Sequence, residues 1–118
     1  MISNESLTST RDADDRRIAI FGASGYVGSY LALYLNSAGL NIFSYDMAPK
    51  VHQPGCTKMH SNSIESRVLQ TFEFVIFLGG CTGRLACAVQ DPETTQKMNV
   101  DDVIQLVKKM SPQQHLII

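Results

Sequence analysis

Seven residues, Gly22-Ala23-Ser24-Gly25-Tyr26-Val27-Gly28, stand between an apolar run (Ile18 to Phe21) and an amphipathic one (Val27 to Ala38). That placement gives them a chemistry, the holding of a pyrophosphate. A strand that runs straight into a helix leaves the first backbone N–H groups of the helix unpaired and pointing outward, and the positive end of the helix dipole reinforces them. Gly22 allows a sharp turn, Gly25 leaves no Cβ between a phosphate and the backbone, and Gly28 lets the helix lie close to the strand. Asp46 is the second chemical group. An acid about 20 positions beyond such glycines falls at the carboxyl end of the next strand, where it can accept both hydroxyls of a ribose. Its charge would repel a 2′-phosphate. Lys50 lies close by, but Pro49 between them signals a turn that carries it away.

The elements that must position these groups can be read along the chain. Val27, Leu31, Tyr34, Leu35 and Ala38 follow the spacing of one buried helical face, and Gly39 supplies a C-cap. Leu40 to Tyr45 reads as a second strand ending on Asp46. Met47 to Gly55, with Pro49, Pro54 and Gly55, reads as a loop, and Cys56 to His60 as a third strand. Asn62 with Glu65 three residues on forms a capping-box pattern that opens a short helix through Gln70. Phe72 to Leu78 is apolar apart from Glu73, as in a central parallel strand covered on both faces. Asp91-Pro92 begins a helix with Val100, Val103, Ile104, Val107 and Met110 on one face, and Lys108-Lys109 suit its C-terminal end. His115 to Ile118 makes a fifth strand. Strands alternating with helices in this way specify an α/β domain of Rossmann type: a doubly wound parallel sheet of five strands in the order 3-2-1-4-5, with right-handed crossovers. The ligand crevice belongs at the carboxyl ends of strands one, two and four, where the order reverses.

Gly-x-x-Gly-x-x-Gly with an aromatic after the second glycine (Gly22, Gly25, Tyr26, Gly28) resembles the NAD-dependent epimerase/dehydratase family of extended short-chain dehydrogenases/reductases. The resemblance spans Arg17 to Ile118. It implies NAD as the cofactor, with NADP disfavoured beside Asp46, and a cradle made of Gly22, Ser24, Gly25, Tyr26, Val27 and Gly28 with Met47 next to the acid. Where the family carries an Asp and an aliphatic residue against the adenine, this chain has Asn62-Ser63; Asn62 keeps a carbonyl acceptor but not the charge. Leu78-Gly79-Gly80 stands where small residues let the phosphates and ribose lie against the backbone, and Asn99-Val100 matches a recurrent pair whose Asn lies near the cofactor. Asn is otherwise an odd choice inside a helix. The loop from Cys81 to Gln90, with Thr82 and Arg84, is where the family begins to contact substrate. Members act by hydride transfer, and the implied small-molecule substrate is a nucleotide-sugar. Their catalytic Ser or Thr follows the fifth strand, and their Tyr precedes a Lys by four residues. None of Tyr26, Tyr30, Tyr34 and Tyr45 has a Lys at that spacing. The expectation is therefore an NAD-binding N-terminal portion of a longer enzyme, stopping before its catalytic residues and homodimeric in full-length form. The alternative is a non-catalytic NAD(P)-binding sensor or scaffold of the same fold.

With a formal net charge of −1 and no basic stripe, nucleic acid is not an expected partner. No apolar stretch is long enough to span a membrane and the N-terminus lacks a signal-peptide core, so a cytoplasmic, membrane-free domain is expected. Cys56, Cys81 and Cys87 are odd in number and lack metal-ligand spacing, and they read as reduced, mostly buried thiols with no metal site. Positions 1–16 read as a disordered polar leader and 17–118 as the NAD-binding domain. Arg16-Arg17 should form a solvated edge at the end of the sheet opposite the glycines.

Overall fold

The computed structural model describes residues 16–49, 53, 55–79 and 92–118. Positions 1–15 of the expected leader, together with Lys50, Pro54, Gly80, Thr82, Arg84, Cys81, Cys87 and Asp91, lie outside the described residues. Five parallel strands form one sheet: β1 (Arg17–Phe21), β2 (Asn41–Asp46), β3 (Cys56–Lys58), β4 (Phe74–Phe77) and β5 (His115–Ile117). Their order is β3-β2-β1-β4-β5, as the alternation of elements specified. Register runs Phe21↔Tyr45 and Phe21↔Phe77, so the carboxyl ends of β1, β2 and β4 finish level with one another.

Alternation along β1 builds two cores. Ile18 and Ile20 face helix α1 (Tyr26–Ser37), joining Ala23, Ala32 and Ile76. Ala19 and Phe21 face the other way, joining Tyr45, Val75 and Phe77 under Ile64, Leu69, Phe72 and Leu106. Those last four come from the opposite layer: a 3-10 turn (Ser61–Ser63) with the residue after it, the short helix α2 (Ser66–Leu69) with the segment leading into β4, and helix α4 (Asp102–Lys109). Burial pushes the Tyr45 phenol above its ordinary range, with the Arg17 guanidinium pulling the other way. The phenol therefore stays neutral inside this core.

The inner face of α1 differs from the expected one. Gly28 and Ala32 are buried and Leu31 and Leu35 half-buried, whereas Val27, Tyr34 and Ala38 point outward. The helix touches the strand at Gly28, and positions three, four and seven residues on must follow it inward. α1 closes with a Schellman arrangement: Gly39, at φ +84, donates its N–H to Asn36 O at 3.0 Å, and Leu40 donates to Leu35 O at 3.2 Å.

One helix start and one helix face are also corrected. Asn62 does not cap a helix; its side chain turns to Asp102, and Glu65 becomes the N-cap residue of α2 without a side-chain cap bond. A tertiary partner outweighs the local capping pattern. After α3 (Pro92–Gln96) the chain widens into a π-helical turn (Lys97–Asp101) before α4. The extra residue rotates the face, so Leu106 and Asp102 are buried while Val100, Ile104 and Val107 are exposed. At the opposite end of the sheet, Arg17 is not simply solvated: its guanidinium lies 4.2 Å from the Phe43 ring centroid and 4.9 Å from that of Phe72. Cys56 is a half-buried free thiol.

Candidate functional site

The turn from β1 into α1 is built by contacts that tolerate no side chain at two of its glycines. Gly22 has φ +86, and a Cβ there would lie 2.6 Å from Leu78 C and 2.8 Å from Gly79 N. A Cβ on Gly28 would collide with the Gly22 carbonyl oxygen and come within 2.9 Å of Ala23 Cα. The obstacles are backbone in both cases, which cannot swing aside. Gly25 is different: its backbone is extended, and a Cβ would approach only Gly22 O, at 3.4 Å. Space beside Gly25 is left open for something other than protein.

From β2, the Tyr45 carbonyl accepts from Gly22 N at 2.9 Å and Ala23 N at 3.1 Å. Asp46 completes the brace: Oδ2 accepts from Ser24 N and Oδ1 from Ala48 N, both at 2.9 Å. The carboxylate is thereby fixed at the strand's end, with lone pairs remaining on each oxygen for ribose hydroxyls. The first α-helical bond of α1 runs from Ser29 N to Gly25 O, and no side chain caps the helix. The amides of Tyr26, Val27 and Gly28 precede that bond and have no carbonyl within the helix to pair with. They form the positive end of the helix dipole, an arrangement that suits an anion.

Two adjoining clefts share this turn. One, of about 580 Å³, is bounded by Gly22, Gly25, Tyr26, Val27 and Gly28 on one side and by Asn99, Val103 and Ile118 on the other. The second, of about 430 Å³, again includes Gly22 and Gly25 and runs past Asp46 and Met47 to Met59, His60 and Ser61. Phe77 and Leu78 line both, and Gly79 lines the second.

Of the residues singled out from the sequence, the structure thus brings together Gly22, Gly25, Tyr26, Val27, Gly28, Asp46, Met47, Leu78, Gly79 and Asn99 around the switch point. Ser24 does not line either cleft; it is buried behind the turn, where its Oγ meets Gln53 Oε1 at 2.6 Å and Cys56 Sγ at 3.5 Å. Asn62 and Ser63 are not at the cleft either. The positions after β3 that line it are Met59, His60 and Ser61, and register carries the signal that spacing alone missed. Asp46 pairs with Lys58, so the residues just past Lys58 emerge level with the acid. Gly80 lies outside the described residues.

Behind the second cleft sits a polar knot. Asp102, 4% exposed, receives Lys97 Nζ and Asn62 Nδ2 on Oδ1, each at 3.0 Å, while His60 Nε2 lies 3.3 Å from Oδ2. Lys109 Nζ donates to the carbonyls of Asn62 and Ile64. His60 Nδ1 accepts from Asn62 N at 2.9 Å, which leaves Nε2 to carry the proton toward Asp102. The knot ties the end of β3 to the π-helical turn that carries Asn99. No group of three or more His, Cys, Asp and Glu among the described residues is arranged to hold a metal ion. No helix among them is long and apolar enough to cross a membrane.

Residues 18–116 match the family model described as the NAD dependent epimerase/dehydratase family. No curated protein matches the chain. Among solved structures, it is similar to MoeE5 in complex with UDP-glucuronic acid and NAD, at 21% identity and a TM-score of 0.68, over 79% of this chain and 32% of that one. The NAD-dependent NDP-hexosamine 5,6-dehydratase TunA of tunicamycin biosynthesis is 23% identical with a TM-score of 0.67, over 80% of this chain and 32% of that one. UDP-glucose 4-epimerase from Thermus thermophilus, complexed with NAD, is 19% identical with a TM-score of 0.66, over 79% of this chain and 33% of the other. The chain thus spans about a third of the length of each of these relatives in fold.

Proposed function

This chain belongs to the NAD dependent epimerase/dehydratase family, and from that membership we propose that it is the NAD-binding portion of an enzyme acting by hydride transfer on a nucleotide-sugar. The observation that carries the reading is the pairing of unpaired helix-start amides with a fixed carboxylate across two adjoining clefts. The cradle fits the group: Gly25 leaves open the space a pyrophosphate would fill, and Asp46 presents acceptor oxygens one β-α-β step away. In this proposal Tyr26, Val27 and Gly28 hold the pyrophosphate through their N–H groups, Asp46 the adenosine ribose, and His60 and Ser61 flank the adenine. Asn99 and Ile118 border the other cleft, on the side left for the nicotinamide.

When bound, NAD supplies a site that accepts and returns hydride. The chain's own contribution is to bind and orient: amide dipoles neutralise the phosphates, the carboxylate sets the ribose, and Phe77 and Leu78 exclude water from the sheet side of the crevice. The substrate class and the place of this chain as the N-terminal portion of a longer enzyme rest on the family and on the ligands reported for its relatives in fold. Titration calorimetry with NAD and NADP tests the reading. NAD should bind and bind more tightly than NADP; Asp46→Asn should weaken NAD about tenfold or more and narrow the gap to NADP. An Asp46→Asn protein with unaltered affinity and preference would refute the ribose assignment.

A further inference from the structure

We propose that Gln53 is a positioning residue for the dinucleotide turn, its carboxamide holding the back of the turn while Asp46 holds the front. The inference rests on the NAD-binding reading above. Gln53 comes from the connection between β2 and β3, thirty residues from its contacts, and spends both ends of its side chain on consecutive residues of the turn. Nε2 donates to Ala23 O at 2.8 Å, and Oε1 accepts from Ser24 Oγ at 2.6 Å.

Both partners are buried, Ala23 with no exposed surface and Ser24 at 7%. A carbonyl in that position must keep a donor or rotate to find another. Rotation of the Ala23 peptide would carry the Ser24 amide away from Asp46 Oδ2, its acceptor at 2.9 Å. It would also re-aim the peptides that follow, and with them the amides of Tyr26, Val27 and Gly28. A carboxamide offers a neutral donor and acceptor side by side from one planar group, which is what two adjacent turn residues of opposite need require. Gln53 lies outside the glycine pattern and away from the strand-end acid, so neither of those signals points to it.

Such a residue should act chiefly on the pyrophosphate and much less on the nucleoside, because Ala48 N still holds Asp46 through Oδ1. The test uses the 118-residue chain with NAD and adenosine as separate probes, binding being followed by amide chemical shifts. Gln53→Ala should weaken NAD about tenfold or more and leave adenosine within about twofold. Gln53→Glu keeps the acceptor for Ser24 and loses the donor to Ala23 while ionised. Its NAD deficit relative to wild type should therefore shrink as pH falls through the carboxyl range and the acid regains a proton. Equal losses for NAD and adenosine, or a Gln53→Glu deficit that does not change with pH, would reduce Gln53 to a structural residue and overturn the proposal. Unchanged NAD affinity in Gln53→Ala would overturn it too. A wild-type chain that binds no NAD defeats the underlying reading itself, which separates that failure from this one.

Discussion

Gly25 and Gly28 look equivalent in the sequence, yet their surroundings make opposite demands. A methyl group at Gly28 would be driven into the Gly22 carbonyl, so Gly28→Ala must push α1 off β1. The expected cost is about 3 kcal/mol, at the upper end of overpacking, because the obstacle is backbone. Gly25 lies in extended backbone with open space beside it, and Gly25→Ala should change stability by less than about 0.5 kcal/mol. The same methyl would stand where the pyrophosphate belongs, so NAD-induced thermal stabilisation should vanish in Gly25→Ala while the unliganded melting temperature holds. A Gly25→Ala protein that NAD stabilises as well as it does wild type would contradict this division of roles. At this scale the glycines, Asp46 and Asn99 were legible because each is an unusual residue type for its element. His60, Ser61 and Gln53 were not, since His, Ser and Gln are unremarkable in loops and gain meaning only from register and from contacts 30 residues distant.

The elements followed hydrophobic period closely for strands and less closely for helices. β1 and β4 are buried on both faces and leave little choice of position, so sheet order and the switch point could be read from the sequence. α1 and α4 each carry more apolar residues than one face can bury, and packing decided which turned inward. In α1 the decision lay with Gly28; in α4 it lay with the π-helical turn, which sets a carboxylate, Asp102, on the inner face four residues before Leu106. A buried carboxylate is costly unless its partners are in place. Asp102→Leu should strand His60 and Asn62 and cost about 3 kcal/mol, lowering the melting temperature by more than about 10 °C. Lys97→Ala should cost under about 1 kcal/mol, because that side chain is 54% exposed and its pair with Asp102 is partly solvated. Calorimetric unfolding of the two variants checks the order; near-neutral replacement of Asp102 would show that the knot is not what fixes the π turn.

Across the whole molecule, three level strand ends, one helix start without a side-chain cap and one strand-end acid converge on two adjoining clefts. The long-range architecture was readable because an open parallel sheet has few ways to be wound once its helices and strands alternate. The divisions within the crevice were not, because they depend on where β3 stops and how far the π turn rotates Asn99. In the proposed function each of these features serves the same end, a rigid cradle that would present backbone amides to a dinucleotide at one place and a carboxylate at another. Amide chemical shifts recorded while NAD is titrated into the isotopically labelled chain test this most directly. Saturable shifts should concentrate at Tyr26, Val27 and Gly28, with a second group at Asp46 and Met47. Saturation with NAD that leaves those five amides unmoved, or moves only amides away from the crevice, would contradict it.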